Sequence, residues 1–183
     1  MDNPLKINSE IKTPRLTARP AAVDEADKLF RAIDISRNRL REFLFWVDNI
    51  QKAEDERNTL IDIVAGREKG EIFMYVLYDI DEKIIGTVDV HNISYRNHSA
   101  ELGYWLIDGE TGKGYVSEIL PYIENIFFTA GVHRLVIECE TSNIASASVA
   151  ERNGYNLEGI ATGKVFGYGK YRDCKIYAKI STD

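Results

Sequence analysis

Residues 99–118 read Ser-Ala-Glu-Leu-Gly-Tyr-Trp-Leu-Ile-Asp-Gly-Glu-Thr-Gly-Lys-Gly-Tyr-Val-Ser-Glu, and their order decides the fold. The first nine residues are rich in strand formers and predict a strand over 99–107. Gly109, Gly112 and Gly114 then break the pattern, and a helical period takes over from about 113 to 130. Val116, Ile119, Leu120, Ile123 and Phe127 fall on one face of that helix, and Gly131 is placed to end it. Pro121 lies inside the helix, where it removes one backbone hydrogen bond. Leu135-Val136-Ile137 follows as a buried strand. A strand, a helix and a second strand over 99–139 predict two parallel neighbours joined by a right-handed crossover.

Upstream, three β-rich runs cover 72–78, 83–95 and 99–107, separated by Asp79-Ile80-Asp81-Glu82 and Arg96-Asn97-His98, which predicts an antiparallel meander. Before it, Leu16-Thr17-Ala18-Arg19 forms a short strand ending at Pro20. Asp24 is the expected cap of a helix carrying Leu29, Phe30 and Ile33. An apolar stretch over 38–47 and a charged helix with Arg57, Leu60, Ile61 and Val64 lead to Gly66, so the first third reads as mainly helical. Downstream, Asn143 opens a short helix closed by Asn153-Gly154, and two last strands turn at 167–170. With no repeat and no linker, residues 1–183 read as one α/β domain of the mixed α+β kind.

The composition is that of a folded chain, 44% hydrophobic and 28% charged, with no biased tract to suggest disorder. No basic, then apolar leader begins it, and no run of 18 apolar residues occurs, so neither secretion nor a membrane span is expected. Cys139 and Cys174 are far apart and inside strands, and read as reduced residues of a cytoplasmic protein. The net charge of -6 argues against a nucleic-acid ligand and is compatible with a cationic one. His91, His98 and His133 lack metal-ligand spacing, so no metal is expected.

The glycine turn is the strongest chemical signal. Backbone N–H groups converging in such a turn, a helix N-terminus and missing Cβ atoms together suit a phosphate. A plain entry turn to a helix has the same local pattern. A Walker loop requires Ser or Thr after Gly-Lys, and Gly114 follows Lys113. A dinucleotide fingerprint comes nearer, with Glu138 and Glu140 near the distance of a ribose partner, but its third glycine falls on Ser117. The preceding meander also differs from the start of a doubly wound sheet.

Several linked motifs narrow the choice. Thr13-Pro14-Arg15-Leu16 with Arg19, Ile85-Gly86, 100–106, 112–118, Asn143-Ile144-Ala145-Ser146 and 149–155 stand in the order found in the GNAT acetyltransferases. The chain resembles in particular their Rim-type branch, which acetylates ribosomal-protein N-termini, the RimL-like group being nearest. The resemblance covers nearly the whole chain. It implies a GNAT fold with a mixed, mostly antiparallel sheet of six or seven strands, splayed at its centre near Leu106, with helices on both faces.

It also implies acetyl-CoA as cosubstrate. The pyrophosphate is expected on the backbone of Gly112, Lys113, Gly114, Tyr115, Val116 and Ser117, and the pantetheine arm beside Leu106 and Ile107, where a main-chain N–H could steady an oxyanion. Gly109 stands where the family has Gln or Arg. Asn143 and Ser146 match coenzyme-contacting positions, Ser146 as the proton donor to the leaving thiolate, although capping and filling of the helix's first turn explain the same two residues. RimL-like enzymes carry a proposed glutamate base on the penultimate strand, and that position here is Val165. Glu101 is the replacement, with a structural carboxylate as the alternative.

Phe43 and Trp46, with Phe45, lie where Rim-type enzymes form an acceptor wall, core packing being the other reading of these three; His91 is expected to line the acceptor cleft, with a core or edge histidine as the alternative. The preferred acceptor is a protein N-terminus, and the resemblance implies a ribosomal protein. Rivals are a small amine such as a polyamine or aminoglycoside, and a sensor that binds acetyl-CoA without turnover. The resemblance further suggests a homo-oligomer, a dimer or larger.

Overall fold

A computed structural model describes residues 1 and 4–182 of the chain. Eight strands and four α-helices are described: β1 (Ile11–Lys12), β2 (Thr17–Pro20), α1 (Ala26–Leu40), α2 (Ala53–Lys69), β3 (Phe73–Tyr78), β4 (Ile84–Ser94), β5 (Ser99–Leu106), α3 (Tyr115–Thr129), β6 (Arg134–Glu140), α4 (Ile144–Arg152), β7 (Asn156–Gly167) and β8 (Lys170–Ile180). Short 3-10 turns cover Val23–Glu25 and Phe45–Asn49. They form one sheet in the order β1-β2-β3-β4-β5-β6-β8-β7. The sheet therefore has eight strands where six or seven were expected. The extra one is β1, two residues long, too short to give a periodic signal.

The sheet is buried on both faces at its centre, as β3 shows, while the edge strand β7 is largely exposed. All six residues of β3 are buried, so it reads as a continuous apolar run. Phe73, Tyr75 and Leu77 join α3 and α4 residues on one face, among them Ile119, Ile123, Phe127 and Ala150. Met74, Val76 and Tyr78 join Leu29, Ile33 and Leu60 of α1 and α2 on the other. The predicted meander and hairpin are present, all their pairs antiparallel. Asp24 caps no helix. Instead the Glu25 carboxylate accepts from the Ala22 N–H at 3.0 Å across the 3-10 turn, and α1 starts at Ala26.

The predicted parallel pair, β5 with β6, is short. Only Ser99, Ala100 and Glu101 pair, with Arg134, Leu135 and Val136. Beyond Glu101 the strands part, five residues before Leu106, so the splay begins deeper in the sheet than the sequence suggested. The Ile107 N–H donates to the Ile85 carbonyl at 2.9 Å. By the alternation of an antiparallel ladder, the Leu106 and Tyr104 backbone groups then face the gap. Helix α3 continues through Pro121, which deprives the Ser117 carbonyl of its helical donor.

Glu56 on α2 is an energetic exception in this core. It is 3% exposed and has no hydrogen bond or ion pair among the described residues. Burial pushes its carboxyl from 4.5 up to about 7. Below the unfolded value both states are protonated and there is no penalty. As pH rises from 4.5 through 7 the unfolded chain gives up its proton more readily than the folded one, so stability falls. Glu56→Gln should therefore stabilise the fold more at pH 8 than at pH 5, by on the order of 3 kcal/mol at pH 8, read as a larger rise in melting temperature there. Equal gains at both pH values would count against this account of Glu56.

Candidate active site

The gap between β5 and β6 opens into a cavity of about 470 Å³. One wall is the glycine turn and the start of α3: Thr111, Gly112, Gly114, Tyr115, Val116 and Ser117. The opposite wall is the start of α4, Ser142 to Ser146, with Val149 and Arg152. Tyr104, Trp105 and Leu106 of β5, Arg39 and Leu40 at the end of α1, and Glu42, Phe43 and Leu44 after it complete it.

The turn has the form an anion requires. Gly112 and Gly114 have φ of 78° and 82°, and Gly114 is the N-cap of α3. These left-handed values favour glycine, and nothing lies within 4 Å of where a Cβ of Gly112 would stand. The Ser117 hydroxyl is buried and has no partner among the described residues. An orphaned donor beside a bare helix N-terminus fits a pyrophosphate.

A clamp holds this turn from behind. Arg15 donates to the Lys113 carbonyl at 3.0 Å and to Glu118 at 2.6 Å, and it stacks on Tyr115 with 4.7 Å to the ring centroid. Thr13 also donates to Glu118, at 2.5 Å. Burial alone would raise the Glu118 carboxyl, but the hydrogen bonds from Thr13 and Arg15 outweigh it and hold it below its ordinary value. A carboxylate in the first turn of an anion-binding helix is thus kept neutralised. The Thr-Pro-Arg motif, far away in sequence, supplies the charge.

A second, smaller cavity of about 220 Å³ is lined by Glu101, Leu102, Gly103, Ile137, Glu138, Cys139, Glu140, Val165 and Cys174. Phe43, Leu44, Tyr104, Asn143 and Ser146 line both cavities, so the two meet inside the gap. Asn143 caps α4, its side-chain oxygen accepting from the Ser146 N–H at 3.0 Å. The Ser146 hydroxyl lies 2.9 Å from the Tyr104 hydroxyl. Burial, which outweighs the Ser146 contact, pushes the Tyr104 phenol up, so it stays protonated.

Of the residues singled out from sequence, Gly112, Gly114, Tyr115, Val116, Ser117, Leu106, Asn143, Ser146, Phe43 and Glu101 are brought together here. Four are not among the lining residues. Lys113 turns its ammonium to Glu110 at 2.8 Å, leaving only its backbone at the turn. The Ile107 N–H is used by Ile85, so it is not a free oxyanion donor, whereas the Leu106 backbone faces the gap. Trp46 packs against Trp105, ring centroids 6.3 Å apart. His91 stands behind Glu101, its Nε2 3.6 Å from Oε1. Sequence reading missed Tyr104, Glu138 and Glu140 as site residues, because their direction depends on the splay.

An open gap in a mixed sheet, ending in a glycine turn at a helix N-terminus, defines a coenzyme-A-dependent acyltransferase site. Comparison with known proteins agrees. The model of the GNAT acetyltransferase domain matches residues 15–156. The ribosomal-protein-serine acetyltransferase of Escherichia coli K12 is 31% identical over 166 residues, 90% of this chain and 92% of that protein. The structure of a RimL ribosomal L7/L12 α-N-protein acetyltransferase in complex with coenzyme A superposes with a TM-score of 0.90 at 26% identity, over 94% of this chain and 98% of the other. The microcin C7 self-immunity acetyltransferase MccE, in complex with acetyl-CoA and AMP, shares the fold, with a TM-score of 0.88 at 24% identity over 92% and 94%. The chain belongs to the GNAT acetyltransferase family. It is an acetyl-CoA-dependent N-acetyltransferase of the ribosomal-protein-acetyltransferase type.

The clamp makes a measurable difference to this site. Arg15→Ala leaves Glu118 without its counter-ion and the Lys113 carbonyl without its donor. Acetyl-CoA should then bind about tenfold more weakly by calorimetry, a loss of ~1.4 kcal/mol, with the circular dichroism unchanged. Undiminished affinity would show that the turn stands without Arg15.

Proposed function

We propose that this enzyme acetylates the α-amino group of a protein N-terminus in the cytoplasm, by direct transfer from acetyl-CoA. The observation that carries this reading is the charge balance of the smaller cavity. Three carboxylates line it, Glu101, Glu138 and Glu140. Lys164 neutralises Glu138 at 2.5 Å, and Arg172 neutralises Glu140 at 2.9 Å. Glu101 has no Lys or Arg of its own, and its cationic neighbour His91, 3.6 Å away, is shared with Asp89, so the group keeps one net negative charge, which suits a single ammonium on the cavity side better than a polyamine. The similarity to ribosomal-protein-serine acetyltransferase supports the same acceptor class.

The acceptor must lose a proton before it attacks. An α-amine of pKa about 7.7 to 8.0 is roughly a tenth to a third neutral near pH 7, whereas a lysine near 10.4 is on the order of a thousandth neutral. A modest base is enough for the first. Val165 lines the cavity at the place of the RimL-type glutamate and has no proton to exchange. Glu101 fills that role from the other strand. It takes the ammonium proton, and the amine nitrogen attacks the thioester carbonyl carbon. The backbone N–H of Leu106, facing the gap, meets the developing oxyanion. As the C–N bond forms and the C–S bond breaks, the thiolate takes the hydroxyl proton of Ser146, and Ser146 recovers a proton from the second one that the amine nitrogen sheds in becoming an amide; its oxygen is supported by Tyr104 at 2.9 Å.

Thiol release should be fastest with N-terminal peptides when these are compared with spermidine and an aminoglycoside. Glu101→Gln should slow the peptide reaction most at low pH, where less free amine exists. A preference for spermidine would overturn the acceptor assignment, and tight acetyl-CoA binding with no thiol release for any amine would indicate a sensor.

A further inference from the structure

Asp89 and His91 are two residues apart on β4, so their side chains share one face of the sheet. The register sets them opposite Gly103 and Glu101 of β5. Gly103 lets this group close up: a Cβ there would stand 2.9 Å from Asp89 Oδ2. Bare backbone leaves the carboxylate room to lie toward His91, whose Nδ1 is 2.6 Å from Asp89 Oδ1. On the ring's other side, Nε2 faces Glu101.

Irregular backbone adds a third contact. The β4–β5 register shifts between His91 and Ser94, and Asn92 has φ of 49°. Asparagine tolerates this left-handed value better than most residues. In a regular strand Asn92 would face away from His91; here its amide donates to Glu101 Oε2 at 2.9 Å. Glu101 is thus held at both oxygens from β4.

We infer that Asp89, His91 and Asn92 are positioning residues that fix Glu101 toward the acceptor, with His91 serving as a cation held permanently behind it by Asp89. The inference rests on the reading of Glu101 as the proton acceptor. Neither Asp89 nor His91 is among the residues lining the cavity, so both act through Glu101. Other charges face the group from β6 and β7: Lys164 attracts Glu101 and pairs with Glu138.

The electrostatics agree with this geometry. Burial lowers the proton affinity of His91, but Asp89 and Glu101 outweigh it and push its pKa up to about 10. Burial also raises Glu101, and the imidazolium of His91 3.6 Å away, the hydrogen bond from Asn92 and the charge of Lys164 bring it below its ordinary value. The sign follows. With a cation behind it, Glu101 stays ionised, and able to take a proton, to lower pH than a half-buried carboxylate left by itself.

Two readouts test this. By NMR the His91 ring should stay protonated from about pH 6 to 8, the range in which an ordinary imidazole titrates. It should titrate inside that range in Asp89→Asn, which removes the negative partner, and in Gly103→Ala, which displaces it. In pH profiles of kcat/KM, His91→Asn should move the acid limb to higher pH. Asp89→Asn should not, because His91 is still protonated at the pH of that limb. An ordinary titration of His91 in the native enzyme overturns the proposal. So does a His91→Asn limb that stays in place although Glu101→Gln abolishes it. If Glu101→Gln itself leaves rate and limb unchanged, the base assignment fails, and the proposal fails with it while His91 is intact.

Discussion

The parting of β5 from β6 is the constraint on which the rest of the structure depends. Three residue pairs hold these strands together, and past Glu101 they diverge. A parallel ladder continued to Leu106 would satisfy its own backbone and leave no site. Because it stops, the inner backbone of both strands faces a gap, and a buried polar group without a partner costs about 1–3 kcal/mol. The gap therefore favours water or a polar guest rather than apolar filling. An arm rich in amides, such as pantetheine, meets that requirement.

The elements around the gap follow from the same divergence. β5 leads into the glycine turn and α3, and β6 leads into α4, so the two helix N-termini form opposite walls. The segment after α1 contributes Phe43 and Leu44 where the two cavities meet. It is tied to β8 through Arg172, which donates to the Glu42 carbonyl and to Glu140. The two cavities thus open on one point from two directions.

Charge is distributed within the site by pairing rather than by net excess. Arg15 offsets Glu118 at the anion turn, while Lys164 and Arg172 offset Glu138 and Glu140 in the smaller cavity. Most of these partners are distant in sequence, and each pairing leaves one unmatched chemical function. At the turn it is the ring of backbone N–H groups. In the smaller cavity it is the cavity-facing side of Glu101.

The amino-acid sequence by itself determined the family, the order of elements and the glycine turn before α3. Those depend on local patterns: the strand formers of 99–107, the glycines at 112 and 114, and the helical period after them. The place of Phe43, Asn143, Ser146 and Glu101 around the site was legible as well, through the linked motifs. The tertiary structure decided the rest. The two-residue β1 has too few residues to carry a period, and the depth of the splay depends on how two strands separated by α3 come to lie. The positions of Trp46 against Trp105, of His91 behind Glu101 and of Lys113 toward Glu110 were settled the same way. The direction of a side chain at a splay or a bulge is set by strands far apart in the chain, and no local pattern encodes it.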